Sequence, residues 1–530
     1  MRHGYYTVLV ISESCMACQS NAISKTQPIA NGTQSETELI SQTANSTPGT
    51  SVGQLPTASN PTSAIGSIQT LTSLPNIIYT PVSQTGPWLV FVAKKSLGEL
   101  AYLWIANGDG TGAQQVLNEP VISDYSAPVL IPSPDGKHLA FVTASDGMFK
   151  QATLRLLSMP GLHIQTITTL FTASLDPETL SFEPAYLART ALSLSEDTVA
   201  WSSDSRKLAF VSGHDGISYD VYVYDLDGGT ISQITRGPST ALELRWSPTN
   251  RYIANVGVNM SPDSSEKSVN GWSLKSDLWV SAADGSGSTL ISSTTDGSAT
   301  ITHGWISDQT LLTSVGDFTP PLPGGGGHSD CWTHDLTMVD LQSNTRRVLW
   351  PAFESAVFSS QSKSVILAVP DRMSVECNQP ESGGVYLLSP PSYQPVLISK
   401  IANDQYFVPY WLPEVGKFII NPTTAVSPTG EISTLESSLP QTWLVSVSPH
   451  GDYAFDYEKN TIIALNKNVE PMNLKSRALV VTWHPNDGSL WYFSDSALFR
   501  ATPPEYNSSL ILDGVNVDES WKRGSLIWLH

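Results

Sequence analysis

Side chains that could bind a metal or form a covalent bond crowd into two stretches of this chain, residues 316–335 and 370–384. The first stretch contains several possible metal ligands within eight positions: His328, Asp330, Cys331, His334 and Asp335. No second cysteine or histidine pair has the spacing of a zinc site. Elsewhere, Asp225–Leu226–Asp227–Gly228–Gly229 resembles the start of a calcium loop but lacks the remaining ligands. We therefore expect a Gly-rich polar loop with solvated histidines, and neither a bound metal nor another cofactor.

Cys331 and Cys377, one in each stretch, are the only cysteines beyond residue 18. In an exported protein such an isolated pair favours a disulfide that ties two loops together. A bridge requires Cα atoms within roughly 7 Å of each other, and spacing along the chain leaves that distance open. The disulfide is therefore a hypothesis about how the two stretches are held.

The elements that must position these stretches are short strands, most clearly in residues 200–235. One strand ends at Trp201, and residues 208–211, 221–224 and 231–234 form three more, with tight turns after the first and third. Such a unit cannot bury both faces of its sheet alone, so it must stack against copies of itself. The copies are present along the chain.

The repeats predict an all-β protein that is one closed β-propeller of four-stranded blades. From Trp201 onward the anchors that end the first strands recur every 36 to 59 residues, which is the range of propeller blades. The anchors are Pro132, Trp201, Trp246, Trp305, Phe358, Trp411, Val447, Trp483 and Trp521. The first unit, from Trp88, lacks its own first strand. We expect the fragment around Trp521 to supply that strand, which closes a ring of eight or nine blades within residues 76–530.

Two segments carry the family resemblance of the chain. Residues 133–141 read Ser–Pro–Asp–Gly–x–x–Leu–Ala–Phe, and residues 202–210 are a close variant followed by an Asp–Gly turn. This pattern resembles the TolB-like family of β-propellers, whose repeats are similar to WD40 repeats, and the resemblance extends at low specificity over residues 88–530. It implies a periplasmic or cell-surface protein that binds other proteins, although the same repeats also form the substrate-gating domain of prolyl-oligopeptidase-type enzymes.

The long insertions predict where a ligand would bind. Residues 171–195, 256–276, 316–335 and 370–384 each follow a second or fourth strand, so they should emerge on one face of the disc. Binding loops commonly cluster at one end of a rigid scaffold, although insertions also accumulate where they are merely tolerated. Our candidate ligand-binding residues on this face are Trp272, His328, Asp330, Trp332, His334, Arg372 and Glu376.

We accordingly predict a non-catalytic, monomeric protein that binds a protein or glycan. Residues 76–530 contain no Gly–x–Ser–x–Gly motif, no phosphate loop and no dinucleotide fingerprint. The formal net charge of −20 argues against nucleic acid or an anionic lipid surface as a partner. Two alternatives remain: a carbohydrate- or peptide-processing enzyme with its site in the central channel, and a purely structural component of the cell envelope.

The N-terminal part predicts export from the cytoplasm. Residues 1–22 have a basic start and a short apolar run, as in an export signal, and Met16–Ala17–Cys18 resembles the end of a lipoprotein lipobox. Residues 23–75 are rich in Ser and Thr and poor in aromatic residues, which predicts a disordered tether. We expect an extracytoplasmic protein whose contact with the membrane is a lipid on Cys18. Another secreted form and an idle, disordered terminus are the alternatives.

Overall fold

The computed structural model describes the chain from residue 82 onward, with gaps. The described residues are 82–94, 99–121, 130–144, 152–170, 198–213, 219–237, 239–262, 272–294, 298–317, 334–343, 345–353, 355–369, 383–400, 408–440, 445–465, 469–494, 496–518 and 525–530. Over these ranges the chain is all-β, and no helix in them is long and apolar enough to cross a membrane. The predicted export signal, Cys18 and the tether lie outside them.

The described strands form nine four-stranded blades of a β-propeller, the larger of the two predicted numbers. Blade 1 consists of β36 (Leu526–Leu529), β1 (Trp88–Ala93), β2 (Tyr102–Asn107) and β3 (Gln114–Gln115). Blade 2 consists of β4 (Ile131–Pro132), β5 (His138–Thr143), β6 (Thr153–Ser158) and β7 (His163–Thr169). Blade 3 consists of β8 (Val199–Trp201), β9 (Lys207–Ser212), β10 (Asp220–Asp225) and β11 (Thr230–Gln233).

The next three blades contain the longest strands. Blade 4 consists of β12 (Thr240–Trp246), β13 (Tyr252–Pro262), β14 (Trp272–Ala282) and β15 (Ser288–Ser293). Blade 5 consists of β16 (Ser298–Ser307), β17 (Thr310–Asp317), β18 (His334–Asp340) and β19 (Thr345–Phe353). Blade 6 consists of β20 (Ser355–Phe358), β21 (Val365–Val369), β22 (Gly384–Leu388) and β23 (Val396–Ser399).

Blades 7 to 9 complete the ring. Blade 7 consists of β24 (Tyr410–Leu412), β25 (Lys417–Asn421), β26 (Thr424–Val426) and β27 (Ile432–Thr434). Blade 8 consists of β28 (Val445–Val447), β29 (Tyr453–Asp456), β30 (Thr461–Ala464) and β31 (Met472–Asn473). Blade 9 consists of β32 (Val480–Trp483), β33 (Leu490–Ser494), β34 (Ala497–Thr502) and β35 (Asn507–Asp513).

The two ends of the propeller meet in blade 1. The last strand, β36, pairs antiparallel with β1, so that Trp88 lies opposite Leu529 and Phe91 lies opposite Leu526. This confirms that a C-terminal fragment completes the first unit, and pairing within one sheet removes two open edges. The prediction of its aromatic anchor was wrong: the closing strand contains Trp528, whereas Trp521 lies outside the described residues.

Each blade has an inner and an outer edge. First strands of successive blades contact one another around the centre, as β8 contacts β12 and β12 contacts β16. Fourth strands such as β11 and β27 are largely solvent-exposed. Because strands within a blade are antiparallel, connections after first and third strands lie on one face, which we call the turn face. Connections after second and fourth strands lie on the other, which we call the loop face.

The hydrophobic core consists of layers between neighbouring blades, and tryptophans at the ends of first strands lie in these layers. The indole Nε1 atoms of Trp201, Trp246 and Trp305 each donate a 2.9 Å hydrogen bond to a carbonyl of the preceding blade's first strand. Buried indole N–H groups need such a partner, since an unmet donor is costly. In blades 3 to 5 these tryptophans therefore link neighbouring blades.

The turns after first strands join blades to one another on the turn face. Within such a turn, the Ser202 hydroxyl donates to Asp204 and accepts from the amide of Lys207. Between turns, the amide of Asp135 donates to the Ser205 hydroxyl and the amide of Ser203 donates to the Asn250 side chain, both at 2.9 Å. The Ser–Pro–Asp–Gly pattern thus has a structural role, because its polar groups are used within and between turns.

Candidate functional site

The connections between strands are long on one face only. Every connection of eight or more residues leaves and returns at the loop face, whereas no turn-face connection exceeds seven residues. The long connections are 94–101, 116–130, 144–152, 170–198, 263–271, 318–333, 370–383, 400–409, 435–444 and 514–525. This confirms the predicted side of the four insertions. It makes the loop face the first candidate for binding a ligand.

The predicted ligand-binding residues fall at this face as far as the described residues reach. Trp272 is the first residue of β14, opposite Pro262, and His334 is the first residue of β18, opposite Gly316. The two therefore hold equivalent backbone positions at the loop-face ends of third strands in blades 4 and 5. The remaining candidates lie in connections outside the described residues: His328, Asp330, Trp332, Arg372 and Glu376, together with the cysteines 331 and 377.

A β-hairpin arm rises from the loop face of blade 4. Strands β13 and β14 each have 11 residues and pair along their full length, whereas β9 and β10 of blade 3 have six. The five extra residues of each strand lie at the loop-face end, and at ~3.3 Å per residue they extend about 16 Å beyond the neighbouring blade. The expectation of a loop over 256–276 was thus wrong for 256–262 and 272–276, where backbone pairing continues.

The arm is held against blade 5. Lys275 of β14 forms a parallel bridge with Ser298 of β16, which joins the sheets of blades 4 and 5. One residue further along β14, the hydroxyl of Ser276 accepts a 2.7 Å hydrogen bond from the amide of Thr300. The arm therefore stands next to the innermost strand of blade 5, close to the loop-face end of the central channel.

The innermost strands carry ionisable groups in blades 4 and 5 only, among the described residues. Glu243 and Arg245 lie on β12, and His303 lies on β16, whereas the other first strands contain no Asp, Glu, Lys, Arg or His. Sequence reasoning missed these three residues. A usable signal was present, because a charged residue interrupts the apolar first strand Ala241–Trp246.

The first strands of the nine blades form the inner ring of the propeller, and Glu243 occupies an unusual place in it. Its side chain is 4% exposed, and its backbone has a φ of 54°, in the left-handed region, at a bulge between Leu242 and Arg245. Its Oε2 atom accepts hydrogen bonds from the amide of Thr302 at 2.7 Å and from the hydroxyl of Thr302 at 3.0 Å. A buried carboxylate requires such donors, and a strained non-glycine backbone persists only where the surroundings hold it.

The other two inner-ring residues are bound to their own surroundings. His303 Nε2 lies 3.0 Å from the Ser314 hydroxyl, and the ring lies 6.2 Å from that of Phe353. Arg245 donates to the carbonyl of Leu244 at 3.0 Å. The Ser314 residue that contacts His303 is fully buried. Within the described residues no three His, Cys, Asp or Glu side chains come together as a metal site would require.

Partly buried ion pairs hold the ends of two loop-face connections. Arg155, which is 5% exposed on β6, donates to Glu119 in the connection before blade 2 and to the hydroxyls of Thr143 and Thr166. Lys94 at the end of β1 pairs with Asp518 at 3.4 Å. Partly buried charge pairs of this kind fix geometry even where their net contribution to stability is small. These pairs thus fix the ends of loop-face connections relative to the blades.

Comparison with known proteins gives similar folds and no family. No family model matches the chain, and no curated protein matches it. Similar solved structures include TolB from Acinetobacter baumannii, at 14% identity over 61% of this chain and 66% of that one, with a TM-score of 0.27. They also include an oligogalacturonate lyase in complex with manganese (14% identity, 72% and 99% coverage, TM-score 0.35) and a eukaryotic initiation factor (10% identity, 84% and 98% coverage, TM-score 0.46).

This chain therefore covers slightly less than two thirds of TolB, and nearly all of the lyase and the initiation factor. The matched structures include enzymes and non-enzymes. At these identities and TM-scores the likenesses assign neither a family nor an activity to this chain.

Proposed function

We propose that this protein is a non-catalytic, extracytoplasmic β-propeller that binds a protein or a glycan through its loop face. The observation that carries the proposal is the one-sided placement of all ten connections of eight or more residues. A rigid scaffold that elaborates one face and keeps the other minimal is the usual arrangement of a binding protein. The arm of blade 4 adds a raised edge to this surface.

The turn face supports the proposal by contrast. The polar groups of its short turns form hydrogen bonds with neighbouring turns. Examples are the hydrogen bonds from Asp135 to Ser205, from Ser203 to Asn250 and from Thr249 to Asp308. A face whose donors and acceptors are already paired has less to offer a ligand. The TolB-like turn pattern accordingly indicates the class of scaffold. The residues that bind the ligand are expected on the loop face.

Loop replacement tests the proposal. In blade 7 the connection between second and third strands is only Pro422–Thr423, at the position that residues 318–333 and 370–383 hold in blades 5 and 6. Replacing both long connections by Pro–Thr should abolish capture of crosslinked envelope proteins and of glycans on an array, with an unchanged melting temperature. The matched control shortens the turn-face connection 465–471 of blade 8 and leaves the loop face intact. Binding that survives the double replacement would refute the proposal.

The location is tested separately. Metabolic labelling with a lipid precursor should mark the wild-type protein in its own cells and should not mark Cys18→Ser. A protein that stays in the cytoplasmic fraction would contradict an extracytoplasmic role. Labelling of neither form, in an exported protein, would point to a secreted form without a lipid.

A second candidate, an enzyme in the central channel, rests on the inner-ring residues. Glu243, Arg245 and His303 bring acid, base and cation chemistry to the first strands of blades 4 and 5. General acid–base catalysis needs such groups within reach of a substrate. Turnover in a screen of glycosides and peptides, lost in both Glu243→Gln and His303→Gln, would favour this candidate over the scaffold.

A further inference from the structure

The outer edge of blade 5 differs from every other described outer edge. Its fourth strand, β19, has nine residues, whereas the fourth strands of the other blades have two to seven. Residues 345–348 are all exposed, and in the described part of the chain β19 pairs with β18 alone. An edge strand of this length presents a row of backbone N–H and C=O groups that can pair with another strand.

This edge also carries the only arginine or lysine residues found on a described outer strand, Arg346 and Arg347. Two adjacent guanidinium groups are notable on a chain with a net charge of −20. Each bonds to a backbone carbonyl of a neighbouring blade, Arg346 to Ile291 of blade 4 and Arg347 to Ser392 of blade 6 at 3.1 Å. Neither forms an ion pair with a carboxylate among the described residues.

A guanidinium has five N–H donors, so each arginine keeps donors for a further acceptor. Burial lowers the pKa of Arg346, which nevertheless stays charged at neutral pH. Apolar surface lies beside the arginines: Val348 on β19 is 54% exposed, and Val396 and Leu397 on β23 of blade 6 are 56% and 44% exposed. The edge thus combines unpaired backbone, positive charge and aliphatic contacts.

We propose that the outer edge of β19 binds an extended acidic peptide, which adds a fifth strand to blade 5. Its backbone pairs with residues 345–349. Arg346 faces blade 4 and Arg347 faces blade 6, so two consecutive carboxylates of the peptide meet one arginine each. Its apolar side chains contact Val348 on one face and the rim of blade 6 on the other. A second copy of this edge is disfavoured, because antiparallel self-pairing brings the four arginines together, and like charges across a strand pair are destabilising. The site is separate from the loop face and does not depend on the function proposed for it.

The probe is a synthetic heptapeptide with blocked ends, Thr–Val–Glu–Glu–Val–Val–Thr, whose consecutive Glu side chains face opposite sides of the strand; it is added to the full chain. We expect saturable binding by fluorescence anisotropy and slower hydrogen exchange of the amides of residues 345–349. Two control peptides separate the contributions: one replaces both Glu by Lys, and the other is N-methylated at alternate residues, which blocks backbone pairing. Neither control peptide should bind.

Paired variants locate the site. Arg346→Gln/Arg347→Gln should weaken binding of the Glu peptide by about tenfold or more, as removal of close charge partners does. Arg236→Gln removes one exposed charge from the loop-face connection before blade 4 and should leave binding unchanged. A melting temperature within a few degrees of the wild type shows that the double variant is folded; Gln can still donate to the two carbonyls.

Four outcomes would overturn the proposal: no binding of the Glu peptide, equal binding of the Lys peptide, equal binding of the N-methylated peptide, or strong protection of residues 345–349 before any peptide is added. The last would mean that another part of this chain, or a second copy, already covers the edge. Peptide binding that persists after replacement of 318–333 and 370–383 would show that the edge acts independently of the loop face.

Discussion

The carboxylate of Glu243 in blade 4 accepts two hydrogen bonds from Thr302 in blade 5, one from the backbone amide at 2.7 Å and one from the hydroxyl at 3.0 Å. Glu243 and Thr302 are 59 positions apart along the chain, and their contact joins the innermost strands of two neighbouring blades. It lies beside the arm of blade 4 and the bridge from Lys275 to Ser298. Blades 4 and 5, which carry the longest strands, are thus also joined to each other by a hydrogen-bonded contact between their innermost strands.

Removing the Glu243 carboxylate should destabilise the propeller. Glu243→Ala leaves a buried amide and a buried hydroxyl of Thr302 without their acceptor, which costs about 1–3 kcal/mol. Glu243→Gln keeps an amide oxygen as acceptor and should cost clearly less. Urea unfolding followed by tryptophan fluorescence measures both. Equal losses for the two variants would contradict the role given to this acceptor.

Removing an indole N–H should lower the free energy of unfolding markedly only where that N–H donates a hydrogen bond. Trp246→Phe deletes the donor to the Ala200 carbonyl and should lower the free energy of unfolding by about 1–3 kcal/mol. Trp483→Phe is the matched control, because Trp483 Nε1 is buried without a hydrogen-bond partner in the described part of the chain. We expect the control to cost less. A larger loss for Trp483→Phe in thermal unfolding would refute this account of the blade interfaces.

Ring closure should depend on the apolar side chains of β36. Leu526 and Leu529 are 3% and 0% exposed, and Leu→Ala at such buried sites costs about 2–5 kcal/mol each. Leu510→Ala is the control, since Leu510 lies 56% exposed on an outer strand and should change stability by less than about 0.5 kcal/mol. Melting temperatures of the single variants test the comparison. Similar shifts for Leu510 and Leu529 would contradict closure through β36.

Mild acid should destabilise the propeller through two histidines, the buried His484 and the partly buried His138. Burial lowers the pKa of His138 and of His484, against the opposing effect of the nearby Asp135 and Asp487. His484 Nδ1 lies 3.1 Å from the Asp487 carboxylate, which would favour a protonated ring. The amides of residues 486 and 487 also point at this atom from 3.3 Å, and they require it to be unprotonated, in agreement with the direction of the pKa shift.

The direction of this pH effect follows from the linkage between proton binding and folding. Because the folded-state pKa values lie below the unfolded value of about 6.5, the unfolded chain binds more protons below that pH. The stabilisation by neutral histidine is therefore complete above pH ~6.5 and declines as the pH falls below it. The pKa values of Asp135 and Asp487 are also lowered, so their contribution is lost only near or below pH ~4. Urea midpoints between pH 7 and pH 5 should fall less steeply in His138→Gln/His484→Gln than in the wild type. Identical slopes would contradict the assignment.

The disulfide between Cys331 and Cys377 stays a prediction, because both residues lie outside the described part of the chain. The strands that flank them end on the loop faces of the adjacent blades 5 and 6. Peptide mapping without reduction, on protein taken from its own cells, should recover one crosslinked pair. Two free thiols would end the hypothesis.

Local pattern was sufficient for most of the fold. Alternating apolar residues between tight turns identified the strands of blade 3 to within a residue or two, because a strand's period of two and its turn residues are properties of neighbouring positions. The periodic anchors likewise predicted a ring closed by a C-terminal fragment. They misplaced its aromatic residue: Trp521 stands among charged and polar residues, whereas Trp528 lies in the apolar run 526–529 that pairs with β1.

What the sequence by itself determined is therefore the all-β propeller, its repeating turns and the face from which its insertions emerge. Only the tertiary structure decided the nine blades, the paired arm over 256–262 and 272–276, the burial of Glu243 against Thr302 and the place of the exposed arginines on the long outer strand β19. The reason is that strand and turn preferences act between near neighbours. Arms, buried charges and free edges depend on which distant strands pack side by side.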